Sequence, residues 1–454
     1  MLGKKDFTAL MEKHGQTHVI QYLDSLSDEK AETFLRSASL LNYKLVFRLF
    51  REETTGAAAN DKKRHAGIEP PLVFKPGSER EKRDLAVEGE KLISGGKTAV
   101  MVVAGGQATR LGCNYPKGFY PVSPVKGKPL FMLFGEKVRA LSLKYGVKIP
   151  FLIMTSPGNH EEIRGFFEKK GFFGLDRSTV FFFKQELLPS LTPEGLLILR
   201  GGGEIMSNPD GHGGSLKALH QSGLLDEIEK RGIENMFYCH VDNPLVRVLD
   251  PLFLAHHVKS GADFSLKVVK KLPDEKVGTF VIAGGRPAVI EYIELPEPLR
   301  TAVDPKGRQL FNSGSIGIHV INTEFISSLN RKGVSLPYHR QRKKIALPGG
   351  REKEIWKFET FIFDAIPLAG RVSCMETERD EEFAPLKNRT GRDSPADVKQ
   401  KMANLYRSWL DGAGIKVASG ATVEVSPLFA LSREEFIQKI KGCKKEITEN
   451  TYIE

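Results

Sequence analysis

Cysteine is scarce in this chain, which has only four among its 454 residues: Cys113, Cys239, Cys374 and Cys443. They are far apart and form no C-x-x-C pair, so neither a disulfide framework nor a zinc site is indicated. The sequence also lacks a run of about 18 apolar residues, the length needed to span a bilayer. Its first residues lack the apolar stretch of a secretory signal. We therefore expect a cytoplasmic protein without a membrane partner.

Acidic residues are fewer than basic ones, 56 against 67, which gives a net charge of +11. A basic balance favours anionic partners, and phosphorylated small molecules, nucleic acids and anionic membranes all qualify. The basic run over residues 340–344 is not interleaved with aromatic side chains, so we expect no nucleic-acid partner. With 40% hydrophobic and 27% charged residues, the composition is typical of a globular protein with a core.

Strands and helices alternate from residue 98 onward. Apolar strands are predicted over 98–104, 151–155, 179–183, 237–241 and 263–269, with helices over 161–170 and 216–231. Such interleaving implies an α/β fold with a mostly parallel sheet and helices on both faces. Ligands of such sheets bind at the carboxyl ends of the strands.

The two ends of the chain differ from this middle part. Residues 1 to about 50 have the apolar spacing of helices, and residues 52–83, which contain several prolines and many charges, resemble a linker or an extended strap. At the other end, the pattern predicts a helix over 396–410, two short strands around Gly420 and a closing helix over 432–441. We predict an N-terminal helical segment and linker over 1–92, a catalytic domain over 93–400, and a small C-terminal α+β domain over 401–454.

A glycine-rich turn follows the first predicted strand. It begins at Gly105 and Gly106, and two cations, Arg110 and Lys117, come after it. Glycines let backbone N–H groups approach phosphate oxygens closely, and cations neutralise the charge that the backbone cannot. The segment lacks the Gly-Lys-Ser/Thr of a Walker A loop and is not a G-x-G-x-x-G dinucleotide motif. It therefore predicts a triphosphate site of another kind.

Other candidate residues allow two interpretations each. Asp242 follows an apolar strand, so it could anchor Mg²⁺ or form a turn before Pro244. The glycine-dense loop over 208–214, which contains His212, suits an anionic or hydroxyl-rich ligand but could be a plain surface loop. Lys387 follows an acidic run and by pattern alone is a surface lysine.

In combination, these motifs resemble the UDP-sugar pyrophosphorylases, and most closely the eukaryotic-type UDP-N-acetylhexosamine pyrophosphorylases. The similarity covers most of residues 10 to 430. The motifs that carry it are His14-Gly15-Gln16, residues 105–112, Pro116-Lys117-Gly118, Met154-Thr155-Ser156, residues 208–211, Val241-Asp242-Asn243, residues 289–292, residues 310–314, Lys357-Phe358-Glu359 and residues 383–388.

The resemblance implies a Rossmann-like nucleotide-diphosphosugar transferase domain and a Mg²⁺-dependent reaction. UTP and a sugar 1-phosphate would give a UDP-sugar and pyrophosphate. It assigns the glycine pair to the nucleotide, Arg110 and Lys117 to the departing pyrophosphate, Lys387 to the phosphates and Asp242 to Mg²⁺. For the uracil base it implies Gln185, Met206, Pro209 and Gly211, and for the sugar Gly278, Glu291 and Tyr292.

The chain departs from the family pattern at three positions. Ala108 replaces a glycine of the signature, and His212 and Ser315 stand where the N-acetylhexosamine branch usually has asparagines of the sugar pocket. One polar group can discriminate strongly between substrates, so we expect glucose 1-phosphate, narrowly, over N-acetylglucosamine 1-phosphate. The alternatives are a UDP-N-acetylglucosamine pyrophosphorylase and, in another class, a catalytically silent UDP-sugar-binding protein.

Overall fold

A computed structural model describes residues 3–54, 67–272, 275–292, 294–346, 352–441 and 446–454. The chain divides into two units that each combine separate stretches of sequence. The larger unit contains residues 67–184, 219–334 and 366–454, and the smaller contains 1–66, 185–218 and 335–365. This division differs from the three consecutive segments that the sequence predicts. No helix in the described ranges is long and apolar enough to cross a membrane.

The strands are numbered in chain order. Their bounds are β1 Ile68–Glu69, β2 Thr98–Val103, β3 Phe151–Thr155, β4 Val180–Lys184, β5 Leu187–Pro189, β6 Ser207–Pro209, β7 Asn235–His240, β8 Phe264–Lys270, β9 Thr279–Ala283, β10 Arg286–Ile290, β11 Ser313–Asn322, β12 Tyr338–Ala346, β13 Glu352–Thr360, β14 Val372–Glu376, β15 Lys416–Val417, β16 Val423–Val425, β17 Glu446–Ile447 and β18 Thr451–Ile453.

The α-helices are named by their bounds. They are Lys4–Lys13, Thr17–Asp24, Asp28–Ala38, Tyr43–Thr54, Glu79–Ser94, Leu130–Tyr145, His160–Lys169, Ser215–Gln221, Leu224–Lys230, Pro251–Lys259, Glu297–Arg300, Thr323–Arg331, Arg379–Glu382, Pro395–Gly412 and Arg433–Lys439.

A mixed sheet organises the larger unit. Strands β7, β2, β3 and β4 lie side by side in parallel, and β11 joins β7 in the antiparallel direction. Every residue of β2 and β3 is buried, as expected for strands covered on both faces. Because β2 and β7 are parallel neighbours, the segments that follow them leave the sheet at the same edge. The sequence prediction of an α/β sheet with these strands is confirmed.

Close packing between two helices covers part of this sheet. The glycine at position 89 in helix Glu79–Ser94 lies against helix Pro251–Lys259, where an added Cβ would come within 1.8 Å of the Pro251 carbonyl oxygen. Only a residue without a side chain fits there. The C-terminal part shares a hydrophobic cluster with this sheet, because Trp409 and Phe436 pack in one cluster with residues of β2 and β3.

The smaller unit has its own core. Its four N-terminal helices pack with residues from β5, β13 and the stretch between β5 and β6 in one apolar cluster. Gln16 is buried at this contact: its Nε2 donates to the Gly195 carbonyl (3.1 Å), and its Oε1 accepts from the Leu197 N–H (2.7 Å). The predicted helical character of residues 1–50 is confirmed for the described residues.

Two predictions fail locally. The single helix predicted over 216–231 is wrong, since the chain forms two helices that are separated at Gly223, whose φ is +75°. That left-handed conformation ends a regular helix. The linker predicted over 52–83 already contains the start of helix Glu79–Ser94, which Ser78 caps by accepting from the Glu81 N–H. Residues 55–66 of this linker, with Gly56 and the alanines at 57–59, lie outside the described residues.

Candidate functional site

The glycine-rich turn leaves the sheet at the end of β2. Its start is held by Asn159, whose Nδ2 lies 3.4 Å from the Ala104 carbonyl and 3.3 Å from that of Gly105, while its Oδ1 accepts from the Ser156 N–H (2.8 Å). The Lys117 N–H donates to the Gly106 carbonyl (3.2 Å) and closes the turn. An added Cβ at Gly106 would meet nothing within 4 Å, so this backbone faces open space, which a ligand could occupy.

Ala108 and Arg110 occupy opposite sides of this turn. The methyl group of Ala108 is fully buried in the hydrophobic cluster of the larger unit, and its φ is −84°. A negative φ imposes no strain on alanine, so this departure from the signature leaves the turn intact. Arg110 lies in a short 3₁₀ helix, Thr109–Leu111, and its side chain is exposed.

Lys117 and Asp242 meet across the edge where β2 and β7 end. The Lys117 Nζ lies 3.6 Å from Oδ2 of Asp242 and donates to the Leu386 carbonyl at 3.2 Å. Burial would raise the pKa of Asp242, but the charges of Lys117, His240 and Lys387 outweigh it and lower that pKa below its usual value. The carboxylate is therefore ionised at neutral pH, and three of the residues predicted for phosphates and metal, Lys117, Asp242 and Lys387, form one cluster.

The residues predicted for the sugar also lie in the larger unit. The Ser315 N–H donates to the Gly278 carbonyl (2.9 Å) where β11 begins beside β9. A Cβ placed on Gly278 would lie 3.7 Å from Glu291 Oε1. Tyr292 follows, with the Lys276 Nζ 5.9 Å from its ring centroid. The structure therefore brings Gly278, Glu291 and Ser315 together, with Tyr292 adjacent in sequence.

The residues predicted for the base lie in the smaller unit. Strands β5 and β6 pair so that Leu187 faces Pro209, and the Asp210 N–H continues the ladder by donating to the Glu186 carbonyl (3.0 Å). Gln185 directly precedes this ladder, and Gly211 directly follows it. Gly211 has φ +91°, and a Cβ there would lie 2.3 Å from the Thr360 carbonyl oxygen, so glycine is required. Met206 is buried against Ile198 and Ile355.

His212 is held by contacts within the smaller unit. Its Nδ1 accepts from the Ile362 N–H at 3.2 Å, and its ring stacks on that of Phe361 with a centroid distance of 5.4 Å. Because Nδ1 accepts, the proton of the neutral ring is on Nε2. These contacts explain a histidine at this position without any sugar.

Asp210 is a residue that the sequence analysis does not single out. Its side chain is buried, and its Oδ1 has no hydrogen-bond partner in the described part of the chain. Burial and the negative charge of Glu186 raise its pKa to about 7, against the opposing charge of Lys217. Lys217 is itself paired with Glu186 at 2.8 Å. The only sequence signal is a charged residue between a proline and the glycine at 211, which cannot reveal burial.

Asp242 is the one candidate metal ligand from the sequence. Among the described residues, no group of three or more His, Cys, Asp or Glu side chains could hold a metal ion. Mg²⁺ often binds through only one or two carboxylates together with substrate phosphates and water. An ionised Asp242 fits that role, because the remaining ligands would come from a bound nucleotide.

A glycine turn and an ionised aspartate at the ends of two parallel strands, with Lys117 and Lys387 beside the aspartate, form a candidate site for a phosphorylated nucleotide. The profile of the UTP–glucose-1-phosphate uridylyltransferase family matches residues 48–452. The "Probable UDP-N-acetylglucosamine pyrophosphorylase" of Dictyostelium discoideum is 35% identical over 97% of this chain and 95% of its own length. This chain therefore belongs to the UDP-sugar pyrophosphorylase family and is a nucleotidyltransferase, as its sequence motifs predict.

Solved structures agree with the fold. The uridine diphosphate N-acetylglucosamine pyrophosphorylase of Trypanosoma brucei superimposes with a TM-score of 0.83 and 25% identity, covering 100% of this chain and 99% of that one. The UDP-glucose phosphorylase of the same organism gives a TM-score of 0.65 with 18% identity, over 91% and 89% of the two chains. The second similarity shows the fold alone.

Proposed function

We propose that this chain transfers the uridylyl group of UTP to N-acetylglucosamine 1-phosphate, forming UDP-N-acetylglucosamine and pyrophosphate. The observation that carries the proposal is the near full-length similarity to relatives named for this activity. These relatives support the alternative from the sequence analysis, a UDP-N-acetylglucosamine pyrophosphorylase, better than the expectation of glucose 1-phosphate. The reasoning for glucose rested on His212 and Ser315, and the contacts of His212 give that residue another explanation.

The transfer requires two anions to meet. A phosphate oxygen of the sugar 1-phosphate attacks the α-phosphorus of UTP, a new P–O bond forms, and the bond between the α-phosphorus and the bridging oxygen breaks. The electron pair leaves with pyrophosphate. The attacking phosphate is already ionised, so no general base is needed. Catalysis then depends on positioning and on neutralising charge.

The charged cluster is suited to that task. We assign Lys117 and Arg110 to the departing pyrophosphate, since both cations lie on the turn after Gly105 and Gly106. Lys387 is assigned to the phosphates near Asp242, whose pKa it helps to lower. Cations placed where negative charge develops are worth more than they would be in water.

Asp242 would hold Mg²⁺, which in nucleotidyl transfer neutralises phosphate charge and orients the reacting groups. The lowered pKa of Asp242 supports this assignment because a metal ligand must be ionised. Gln185, Met206, Pro209 and Gly211 are assigned to the uracil base, and Gly278, Glu291, Tyr292 and Ser315 to the sugar.

The test is release of pyrophosphate from UTP with a panel of sugar 1-phosphates, with Mg²⁺ and after chelation. We expect turnover with N-acetylglucosamine 1-phosphate that depends on the metal. Arg110→Ala should lower kcat by about 10²-fold or more, in the range found for loss of one charge-stabilising group. Arg164→Ala is the control, because Arg164 forms exposed ion pairs with Glu161 and Glu168 within its own helix. Full turnover in Arg110→Ala would remove Arg110 from the site.

A further inference from the structure

The segment 382–387 connects a buried charge to the lysine assigned to the phosphates. At its start, the carboxylate of Glu382 is fully buried, and at its end Lys387 is half-exposed near Asp242. The Leu386 N–H donates to the Asp242 carbonyl (2.8 Å), and the Lys117 Nζ donates to the Leu386 carbonyl (3.2 Å). The position of Lys387 therefore depends on how this segment lies against the end of β7.

Asn243 makes two further hydrogen bonds between the end of β7 and the segment 382–387. Its Nδ2 donates to the Glu382 carbonyl (2.7 Å), and its Oδ1 accepts from the Ala384 N–H (3.0 Å). One buried amide thus binds the backbone on both sides of Phe383. The ring of Phe383 lies under the Lys387 Nζ, 5.7 Å from ring centroid to nitrogen. Movement of Asn243 would therefore shift both the segment and the surface on which Lys387 rests.

The start of the segment is fixed by buried charges. Lys267, which is fully buried, donates to Glu382 Oε2 (2.5 Å) and to Asp250 Oδ2 (2.6 Å). Thr377 Oγ1 also donates to Glu382 Oε2 (2.6 Å), and the Arg247 N–H lies 3.2 Å from Oε1. Buried ion pairs add little net stability, but they hold the groups that they join in one arrangement. These contacts hold the Glu382 side chain in place, and the hydrogen bonds of Asn243 then set the position of the backbone at 382–384.

We propose that Asn243 is a positioning residue for the transfer reaction, which sets the place of Lys387 relative to Asp242 by holding residues 382–384. This proposal rests on the proposed function, in which Lys387 contacts the phosphates. Asn243 touches no reacting atom, so its effect passes through Lys387. A misplacement of about 1 Å at a reacting group can lower a rate by about 10²-fold.

A double-mutant cycle tests this directly. We compare wild type, Asn243→Ala, Lys387→Ala and the double variant by kcat/KM for UTP and N-acetylglucosamine 1-phosphate. Asn243→Ala should lower kcat/KM by about 30-fold or more in the wild-type background and by less than about 3-fold when Lys387 is already alanine. Equal losses in the two backgrounds would overturn the proposal, because a general structural defect lowers the active fraction equally in both.

The same four proteins separate this proposal from the proposed function. If wild type binds UTP without turnover, the proposed reaction is wrong, and calorimetry with UTP replaces kinetics as the readout of the cycle. Coupling between positions 243 and 387 in UTP affinity would then support the positioning role, and additivity would overturn it. Wild type that neither turns over nor binds UTP would overturn both proposals.

Folding is controlled by two further variants. Asn243→Asp keeps the shape and the acceptor for the Ala384 N–H, but it replaces the donor to the Glu382 carbonyl by a negatively charged acceptor, so it tests the same contact if Asn243→Ala fails to fold. Thr323→Val is the matched control, because Thr323 Oγ1 is buried in the same unit and donates to the Ile233 carbonyl (2.9 Å). Thr323→Val should lower the thermal midpoint and leave kcat/KM within about 2-fold, since distant sites act independently.

Discussion

Two aspartates that follow strands have opposite electrostatic environments. Asp242, after β7, shares its surroundings with Lys117, Lys387 and His240, and their charges lower its pKa in spite of burial. Asp210, after β6, is also buried, but there burial and the charge of Glu186 outweigh the opposing charge of Lys217, and the pKa of Asp210 rises to about 7. The two carboxyl groups therefore differ in charge state near neutral pH.

This difference shows that burial alone does not decide the state of a carboxyl group. The cations that surround Asp242 come from the turn after β2 and from the segment 382–387, and a negative charge is stable among them. At Asp210 the charge of Lys217 does not outweigh burial and the charge of Glu186, so the proton of Asp210 remains until the pH approaches neutrality. The surroundings of Asp242 therefore stabilise a charged carboxylate, whereas those of Asp210 favour its neutral form.

Removal of Lys117 should have the largest effect on the difference in pKa between Asp242 and Asp210. Lys117→Met should lower kcat by about 10²- to 10³-fold, because a cation that stabilises the developing charge is lost. The pKa of Asp242 should rise, so the acidic limb of the pH–rate profile should move to higher pH. Lys148→Met is the control, since Lys148 makes an exposed ion pair with Asp176. An unchanged acidic limb would mean that Lys117 does not set the charge of Asp242.

Replacing Asp210 tests the other side of this comparison, because the raised pKa of Asp210 makes the stability of the protein depend on pH. In the unfolded chain an aspartate has a pKa of about 3.9, whereas in the folded protein that of Asp210 is about 7. Between these values only the folded state holds the proton, so the free energy of unfolding falls as pH rises from about 4 to 7. Asp210→Asn lacks this loss. The free energy of unfolding of this variant, relative to that of wild type, should therefore rise between pH 4 and pH 7, by about 4 kcal/mol at most. It should rise no further above pH 7.

Thermal unfolding of both proteins between pH 4 and pH 8 measures this gain. Asp304→Asn is a control, because backbone N–H groups and Arg308 lower the pKa of Asp304 despite the opposing effect of desolvation. Such a shift acts on stability only below the unfolded-state pKa of about 3.9, so the difference in stability between wild type and Asp304→Asn should stay constant between pH 4 and pH 8. A difference between Asp210→Asn and wild type that stays constant with pH would contradict the neutral state of Asp210.

His212 offers a smaller test in the loop that contains Asp210. His212→Asn should change the ratio of kcat/KM for the two sugar 1-phosphates by less than about 5-fold, because the asparagine Oδ1 can accept the Ile362 N–H in place of Nδ1. Ser315→Asn, which lies beside Gly278, is the comparison in the larger unit. Reversal of the sugar preference by His212→Asn would show that His212 contributes to sugar recognition.

The smallest effect is expected for Ala108→Gly. The methyl group of Ala108 is buried and its φ is negative, so glycine loses packing and gains backbone freedom. We expect a loss of stability of about 1 kcal/mol and turnover within about 2-fold of wild type. A large gain in turnover would show instead that Ala108 impairs the glycine turn, as expected of a silent binding protein.

Much of the larger unit can be predicted from sequence because its signals are local. The apolar strands, the glycine turn and Asp242 all lie in short stretches whose periodicity is visible, and β3 has the predicted bounds. The smaller unit cannot be found in this way, since it joins residues that are far apart in sequence, such as Gln16 and Leu197. Asp210 and Asn243 lie within motifs that the sequence analysis names, but their roles are missed for a related reason: these roles depend on burial and on partners that are distant in the chain.

The most direct test of the account is a competition between two substrates. Wild type is given UTP, Mg²⁺ and equal concentrations of N-acetylglucosamine 1-phosphate and glucose 1-phosphate, and the two UDP-sugars are separated and quantified with time. We predict that UDP-N-acetylglucosamine forms in excess, with one pyrophosphate released for each UDP-sugar. Excess UDP-glucose would contradict the proposed substrate, and the absence of both products would contradict the proposed reaction.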